Sequence, residues 1–290
     1  MSEPNPDLAS TSLVAVRSSG GVVTVELNRP AARNALSLEL IAALGAAVER
    51  VAHDPAARVM VLAGAGKAFC AGMDLKAVQA DPIAMGGMLR QLSQVTRRIR
   101  RLSIPTIARV QGAAVGGGCG FMVVCDFAIT HAEARVGYPE VDLGVCPAVV
   151  APWLVRRIGA GRARAMLLQG GTMTGAEGFA AGLATHLVAE EALDSATSDL
   201  ARRLVAGGPK ALAATKRWLN ELDGSDDDAI LDRAAEISAQ IIAGDEAQTR
   251  LSALFGSTSG GSGSAGAAGP GPVALGAGTV RAAASSSGAR

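Results

Sequence analysis

Residues 110–126 of this 290-residue chain read VQGAAVGGGCGFMVVCD, and this stretch decides the fold prediction. A β-branched run (residues 104–110) leads into it, and an apolar run suited to a buried helix (residues 121–124) closes it. Because glycine inside a helix or strand costs roughly 0.5–1 kcal/mol relative to alanine, the three glycines at 116–118 indicate a turn. A strand, a turn and a buried helix direct unpaired N–H groups and the positive end of the helix dipole at one point. The stretch predicts either a site for negative charge or a tight turn without a ligand.

The composition excludes several classes of partner. Charged residues make up 18% of the chain, aromatic residues 3%, and the formal net charge is +1, so neither a nucleic acid nor an anionic membrane is an expected partner. No apolar run reaches the roughly 18 residues that span a membrane, and the polar N-terminus is unlike a secretory signal. The four cysteines form no CxxC pair, which favours buried free thiols in a reducing cytoplasm. The three histidines lack metal-ligand spacing, so we predict no metal site.

Strand and helix patterns alternate up to about residue 145, and helical patterns dominate afterwards. This order predicts an α/β protein with parallel strands and crossover helices. We divide the chain into a flexible N-terminal tail (1–10), an α/β core (11–200), a helical segment (201–255) and a disordered Gly/Ala/Ser tail (256–290). Ser37 is well placed to cap a helix whose apolar residues begin at Leu38.

Four stretches, in this order and at these spacings, resemble the crotonase family, also called the enoyl-CoA hydratase/isomerase superfamily. They are LNRPAARNALS at 27–37, GAGKAFCAGMDL at 64–75, VQGAAVGGGCG at 110–120 and YPEVDLGV at 138–145. The resemblance covers about residues 13–255. It implies a spiral of repeated ββα units with a helical C-terminal trimerisation segment, and hence a homotrimer or a dimer of trimers. It also implies an acyl-CoA substrate, with coenzyme A as part of the substrate and no separate cofactor.

The resemblance also implies roles for individual residues. The family stabilises a thioester enolate with two backbone N–H groups, which here would come from Ala71 and Gly117. Loss of one such donor typically costs roughly 3–4 kcal/mol in the barrier. The residues implied to bind the substrate are Arg33, Ala35, Gly72, Met73, Asp74, Leu75 and Gly116. A helix N-cap is the alternative role for Asp74.

The sequence departs from the family pattern at one of its two usual glutamates. Gly120 stands at the first position, whereas Glu140 is present at the second and is the predicted general acid/base. Glu140 follows a proline in what reads as an extended loop, near an apolar segment that would raise its pKa by desolvation. An ordinary surface carboxylate is the alternative for Glu140. Tyr138 and Cys146 are candidates for the acyl pocket, with core packing as the alternative.

These features predict a hydratase that adds water to an enoyl-CoA thioester with a single glutamate. The segment at 140–159 resembles family hydratases that act on branched glutaconyl-CoA, which is a possible substrate. The alternatives are an enoyl-CoA isomerase or other acyl-CoA enzyme of the family, and an acyl-CoA binding protein without catalysis.

Overall fold

The structure is a computed structural model that describes residues 12–78 and 81–256. The predicted tail at 1–10 lies outside the described residues, as does the predicted tail at 256–290 except for Gly256, which ends the last helix. The strands are β1 (Val14–Ser19), β2 (Val22–Leu27), β3 (Val59–Gly64), β4 (Thr106–Val110), β5 (Ala113–Val115), β6 (Phe127–His131), β7 (Arg135–Gly137), β8 (Thr172–Thr174) and β9 (His186–Val188).

Ten helices are described, and the sequence explains where several of them begin. They are α1 (Leu38–His53), α2 (Pro82–Arg101), α3 (Gly117–Val124), α4 (Ala151–Ile158), α5 (Ala160–Gln169), α6 (Gly175–Ala181), α7 (Leu193–Val205), α8 (Pro209–Leu222), α9 (Asp228–Ile242) and α10 (Asp245–Gly256). The Ser37 hydroxyl accepts the Leu40 N–H at the start of α1, as predicted. Asp81 caps α2 in the same way by accepting the Ala84 N–H.

The larger sheet has six strands in the order β1-β2-β3-β4-β6-β9. β1 and β2 form an antiparallel hairpin closed by Gly20 and Gly21, whose φ angles of 57° and 83° suit glycine. The remaining pairs are parallel and are joined by crossovers that contain helices. The predicted α/β class with parallel strands is therefore confirmed.

A second sheet holds the start of α3 in place, and the sequence patterns did not predict it. Its strands run in the order β5-β7-β8, and each has three residues. Strands this short carry too little periodicity to be recognised in sequence. β5 connects β4 to the glycine turn, so the turn is fixed between two sheets.

The C-terminal helices pack on the core instead of forming a separate unit. α9 lies along α2, where Gly86 approaches Ala239 and Arg97 pairs with Asp232 at 2.6 Å. The predicted boundary at residue 200 falls inside α7, so it divides one continuous helix. Helix α10 lies almost entirely within the segment predicted to be helical (201–255), and it packs against the turn at Glu140–Leu143.

The predictions about membrane-spanning segments and about the cysteines can be compared with the described residues. None of the helices described is both long and apolar enough to span a membrane. Cys70, Cys119 and Cys125 are buried free thiols as predicted, whereas Cys146 is only partly buried. A cytoplasmic location stays a prediction.

Candidate active site

The glycine turn presents the first N–H groups of α3. Gly116 caps the helix with φ 54° and ψ −121°, a conformation that favours glycine. Its own N–H donates to the Gly137 carbonyl at 2.8 Å. The Gly117 N–H is the first of the helix and has no acceptor among the described residues. Because every residue of α3 is buried, the positive end of its dipole acts at Gly117 with little screening by water.

The loop at 64–75 lies between two extended segments. Cys70 pairs with Ala114 of β5, and Met73 pairs with Leu36. The Ala71 N–H donates to the Arg33 carbonyl at 3.0 Å. The prediction that Ala71 is a free donor is therefore wrong, because its N–H is engaged in holding the loop. No acceptor for the Met73 N–H occurs in the described part of the chain.

The turn at residues 33–34 accepts the Ala71 N–H, and it depends on a buried asparagine. Arg33 and Asn34 have φ angles of 51° and 56°, in the left-handed region that non-glycine residues rarely adopt. The Asn34 side chain accepts the Arg29 N–H at 2.8 Å and donates to the carbonyls of Ala65 and Ala68. Buried polar groups satisfied in this way fix the backbone around them.

Asp74 is held by an arginine that the sequence analysis did not identify. Arg29 Nη2 donates to Asp74 Oδ2 at 3.1 Å, and Arg29 Nη1 donates to the Ala35 carbonyl at 2.6 Å. One side chain thus connects the segment at 33–36 to the loop at 71–75. No sequence signal marks this pairing, because 45 residues separate the two partners.

Glu140 begins a short 3-10 turn, Glu140–Leu143, and not an extended loop as expected. Its carboxylate lies against the glycine turn, with Oε1 3.0 Å from the position that a Cβ on Gly116 would take. Oε2 is buried without a hydrogen-bond partner. Burial raises the pKa of Glu140 to about 7, and the negative charge of Asp142 adds to the increase.

Asp142 anchors the turn that carries Glu140 and does not line the cavity that contains Glu140. Its Oδ2 accepts the Gly171 N–H at 2.9 Å, and the Gly171 carbonyl accepts the Tyr138 N–H at 3.1 Å. On the other side, Gly144 has φ 71° and packs against Arg250 of α10. The turn that carries Glu140 is therefore held by two segments distant in sequence, the one at Gly171 and α10.

The position of the missing glutamate is filled by a valine. Gly120 is buried, and a Cβ there would lie 2.7 Å from Val150 Cγ1. Atoms this close cannot coexist without movement, so Val150 occupies the space that a side chain at 120 needs. The departure from the family pattern thus involves two residues that are 30 positions apart.

We expect Gly120→Glu to destabilise the protein without adding activity. Overpacking a core typically costs about 1–3 kcal/mol, and a buried unpaired carboxylate adds to this cost. Thermal unfolding should show a lower Tm for Gly120→Glu and a partial recovery when Val150→Ala is added. Gly161→Glu is the control, since no atom lies within 4 Å of its Cβ position. Equal Tm values for Gly120→Glu and Gly161→Glu would contradict the packing argument.

One apolar cavity of about 70 Å³ brings five of the predicted site residues together. They are Met73, Leu75, Gly116, Gly117 and Glu140. The remaining predicted residues are adjacent in the loop or the turn but do not line the cavity, and they are Arg33, Ala35, Ala71, Gly72 and Asp74. Cys146 lines the cavity, whereas Tyr138 is packed in the core. Sequence patterns also missed the lining residues Leu92, Val150 and Ser238.

A larger, open groove of about 600 Å³ lies between the sheet and α7, away from Glu140. Four of its five charged side chains are paired with one another, Arg109 with Asp194 and Arg17 with Glu26, and Arg202 pairs with Asp199. Within the residues described, no cluster of three or more His, Cys, Asp or Glu could hold a metal ion. We therefore place the candidate site at the smaller cavity, where the free N–H groups and the buried carboxyl meet.

The fold and this cavity define a class of protein: a mixed α/β fold in which a glycine turn and a buried carboxyl line one cavity. The chain belongs to the enoyl-CoA hydratase/isomerase family, whose model, "Enoyl-CoA hydratase/isomerase", matches residues 17–253. The resemblance to the crotonase family and the predicted crotonase-like fold are confirmed.

Individual relatives and solved structures agree with this membership. A "Putative enoyl-CoA hydratase" of Thermus thermophilus is 37% identical over 210 residues, covering 71% of this chain and 83% of the relative. A "Crotonyl-CoA hydratase" of Syntrophomonas wolfei is 35% identical over 73% of this chain and 82% of its own length. The crystal structure of an enoyl-CoA hydratase/isomerase from Mycobacterium paratuberculosis superposes with a TM-score of 0.77 at 27% identity, covering 84% and 98% of the two chains.

Proposed function

We propose that this protein is an enoyl-CoA hydratase that works with one carboxylate. The observation that carries the proposal is the meeting of Glu140 with the Met73 and Gly117 backbone at one cavity. Relatives named as enoyl-CoA and crotonyl-CoA hydratases support the same reaction class.

The Met73 and Gly117 N–H groups would bind the thioester oxygen. As water adds to the double bond, this oxygen gains negative charge and becomes the oxygen of an enolate. Fixed donors bind the charged form more strongly than the neutral thioester, which is the condition for rate enhancement. The free Met73 N–H supports its assignment in place of Ala71.

Glu140 would move the proton in both halves of the reaction. As a carboxylate it takes one proton from water while the resulting hydroxide forms a bond to the β-carbon. The protonated Glu140 then gives this proton to the α-carbon of the enolate, which restores the carboxylate. A pKa of about 7 suits a group that must both accept and release a proton near neutral pH.

Coenzyme A would bind along the loop and the turn beside the cavity. The predicted contacts are Arg33, Ala35, Gly72 and Asp74, and they stay predictions. Their support is the pairing of Leu36 with Met73, which brings the two segments to the edge of the cavity. No separate cofactor is proposed, because the thioester supplies the only activated group that the reaction needs.

Mass spectrometry of the protein incubated with a panel of enoyl-CoA thioesters tests the proposal. The panel includes straight-chain substrates and a branched glutaconyl-CoA, the more specific substrate that the sequence predicts. Addition of one water to any member supports the hydratase. A product of unchanged mass with a shifted double bond would indicate an isomerase, and binding without turnover would indicate an acyl-CoA binding protein.

We also propose that a second and a third copy of the chain cover the exposed apolar face of α8. Trp218, Leu219 and Leu222 are 58%, 53% and 64% exposed, a patch of the kind that marks an interface. Sedimentation should give three times the 29.1 kDa chain mass, or six times for a dimer of trimers. We expect Leu222→Glu to shift this mass towards the monomer, while Lys210→Glu on the same helix leaves it unchanged. A monomeric wild-type protein would refute the proposed assembly.

A further inference from the structure

The lining of the cavity has no positively charged side chain that could pair with a charged acyl group. Among its described lining residues the side chains that can form hydrogen bonds are those of Glu140, Ser238 and Cys146, and none of the lining side chains is cationic. Ser238 of α9 is already engaged, since its hydroxyl donates to the Cys146 carbonyl at 2.9 Å and accepts the Val149 N–H at 3.2 Å. A hydroxyl has one proton to donate, so Ser238 has none left for a ligand.

A carboxylate at the end of an acyl chain would therefore be buried without a partner. Burial of an unpaired carboxylate is strongly unfavourable. The Glu140 carboxyl shares the same small cavity, so its ionised form would also repel a second negative charge. Both effects act against an acyl group of the glutaconyl type.

The walls of the cavity belong to the hydrophobic core, which fixes its size. Leu92 of α2 and Val150 are 1% and 2% exposed. A Cβ on Gly117 would lie 3.0 Å from Leu92 Cδ2, and a Cβ on Gly120 would lie 2.7 Å from Val150 Cγ1. Both side chains are thus in close contact with the first two turns of α3. Core side chains in dense packing do not yield to a longer ligand without a cost in stability.

The volume limits the length of the acyl chain. The cavity of about 70 Å³ is small beside the roughly 300–1,000 Å³ of ordinary ligand pockets. It therefore favours a four-carbon enoyl group over an eight-carbon chain.

We infer that the site selects a short, uncharged enoyl thioester, and that Val150 and the engaged Ser238 set this limit. The inference rests on the proposed hydratase function and narrows its substrate class. It argues against the branched glutaconyl-CoA that the sequence predicts.

Initial rates with crotonyl-, hexenoyl-, octenoyl- and methylglutaconyl-CoA test the inference on the wild-type protein. We expect kcat/KM for octenoyl-CoA and for methylglutaconyl-CoA to be lower than for crotonyl-CoA by about 100-fold or more, because each misplaced group typically costs 10–200-fold. A higher kcat/KM for either of these two substrates would overturn the inference while leaving the hydratase proposal intact. Failure to hydrate any of the four would instead refute the proposed function.

Val150→Ala tests whether Val150 limits the length of the acyl chain or only contributes to core packing. We expect the ratio of kcat/KM for octenoyl-CoA to that for crotonyl-CoA to rise by about tenfold, since the truncation enlarges the cavity by two methyl groups. Val25→Ala is the matched control, because Val25 is equally buried but lies in β2 outside the cavity lining. An unchanged ratio in a folded Val150→Ala protein, or an equal rise in Val25→Ala, would show that Val150 does not set the limit.

Discussion

Glu140→Gln should reduce kcat for hydration by about 10³-fold or more while the protein remains folded. General acid–base catalysis typically contributes 10²–10⁴-fold, and no second carboxyl lines the described cavity to replace Glu140. Glutamine keeps the size of the side chain but cannot accept and return a proton. Steady-state kinetics with the preferred thioester measures the effect, and retained binding of the product excludes a collapsed site.

The raised pKa also gives this variant an expected gain in stability at high pH. Glu140 binds a proton more tightly in the folded state than in the unfolded state, so its ionisation destabilises the fold as pH rises from about 4.5 to about 7. Above pH 7 the penalty reaches about 3 kcal/mol. Denaturant unfolding should therefore show a Glu140→Gln protein that is at least as stable as the wild type at pH 8. A large loss of stability instead would mean that misfolding explains the lost activity.

The pH profile of the wild-type protein should rise through about pH 7, because Glu140 must be ionised to accept the first proton. Asp142→Asn is the control for this assignment. Asparagine can still accept the Gly171 N–H but lacks the charge that raises the pKa of Glu140. We expect its profile to move to lower pH with little change in the maximum rate. An unmoved profile would indicate that a different group controls the rate.

Gly117→Pro should reduce kcat by about 10²–10³-fold, the usual effect of losing one oxyanion donor. Proline is tolerated at the first position of a helix, where its missing N–H breaks no helical hydrogen bond. Gly117 occupies this position in α3, so the substitution removes the proposed donor and leaves the helix in place. Kinetics should show the loss mainly in kcat and less in KM.

Gly117→Ala is the matched control, since it adds a side-chain carbon and keeps the N–H. The added Cβ would lie 3.0 Å from Leu36 Cδ1 and from Leu92 Cδ2, so these two side chains need to shift by only a few tenths of an ångström. We expect a far smaller loss of kcat than with proline. Equal losses in the two variants would assign the effect to steric crowding, and the oxyanion role of Gly117 would then be wrong.

Much of the fold could be predicted from the sequence because its signals are local. Helical patterns predicted a mainly helical chain after about residue 145, where α7 and α8 lie, and a capping side chain identified the start of α1. Three glycines before an apolar run located the turn at Gly116, although the second and third glycines already belong to α3. Each of these signals depends only on residues within a few positions of one another.

Short and distant features could not be predicted in this way. β5, β7 and β8 have three residues each, and their hydrogen bonds go to strands far along the chain. The packing of α10 on the turn that carries Glu140 could not be predicted either, because it joins segments that are distant in the chain.

The sequence by itself determined the family and the glycine turn, and it led to the prediction that Glu140 is the acid/base. The tertiary structure alone decided which backbone N–H groups are free and which residues line the cavity. Ala71 and Met73 are equivalent in sequence terms, and only the engagement of Ala71 with Arg33 distinguishes them. Val150 fills the space beside Gly120, although the two residues are 30 positions apart in the chain. Availability of a donor and shape of a cavity arise from contacts between distant segments, which no local pattern encodes.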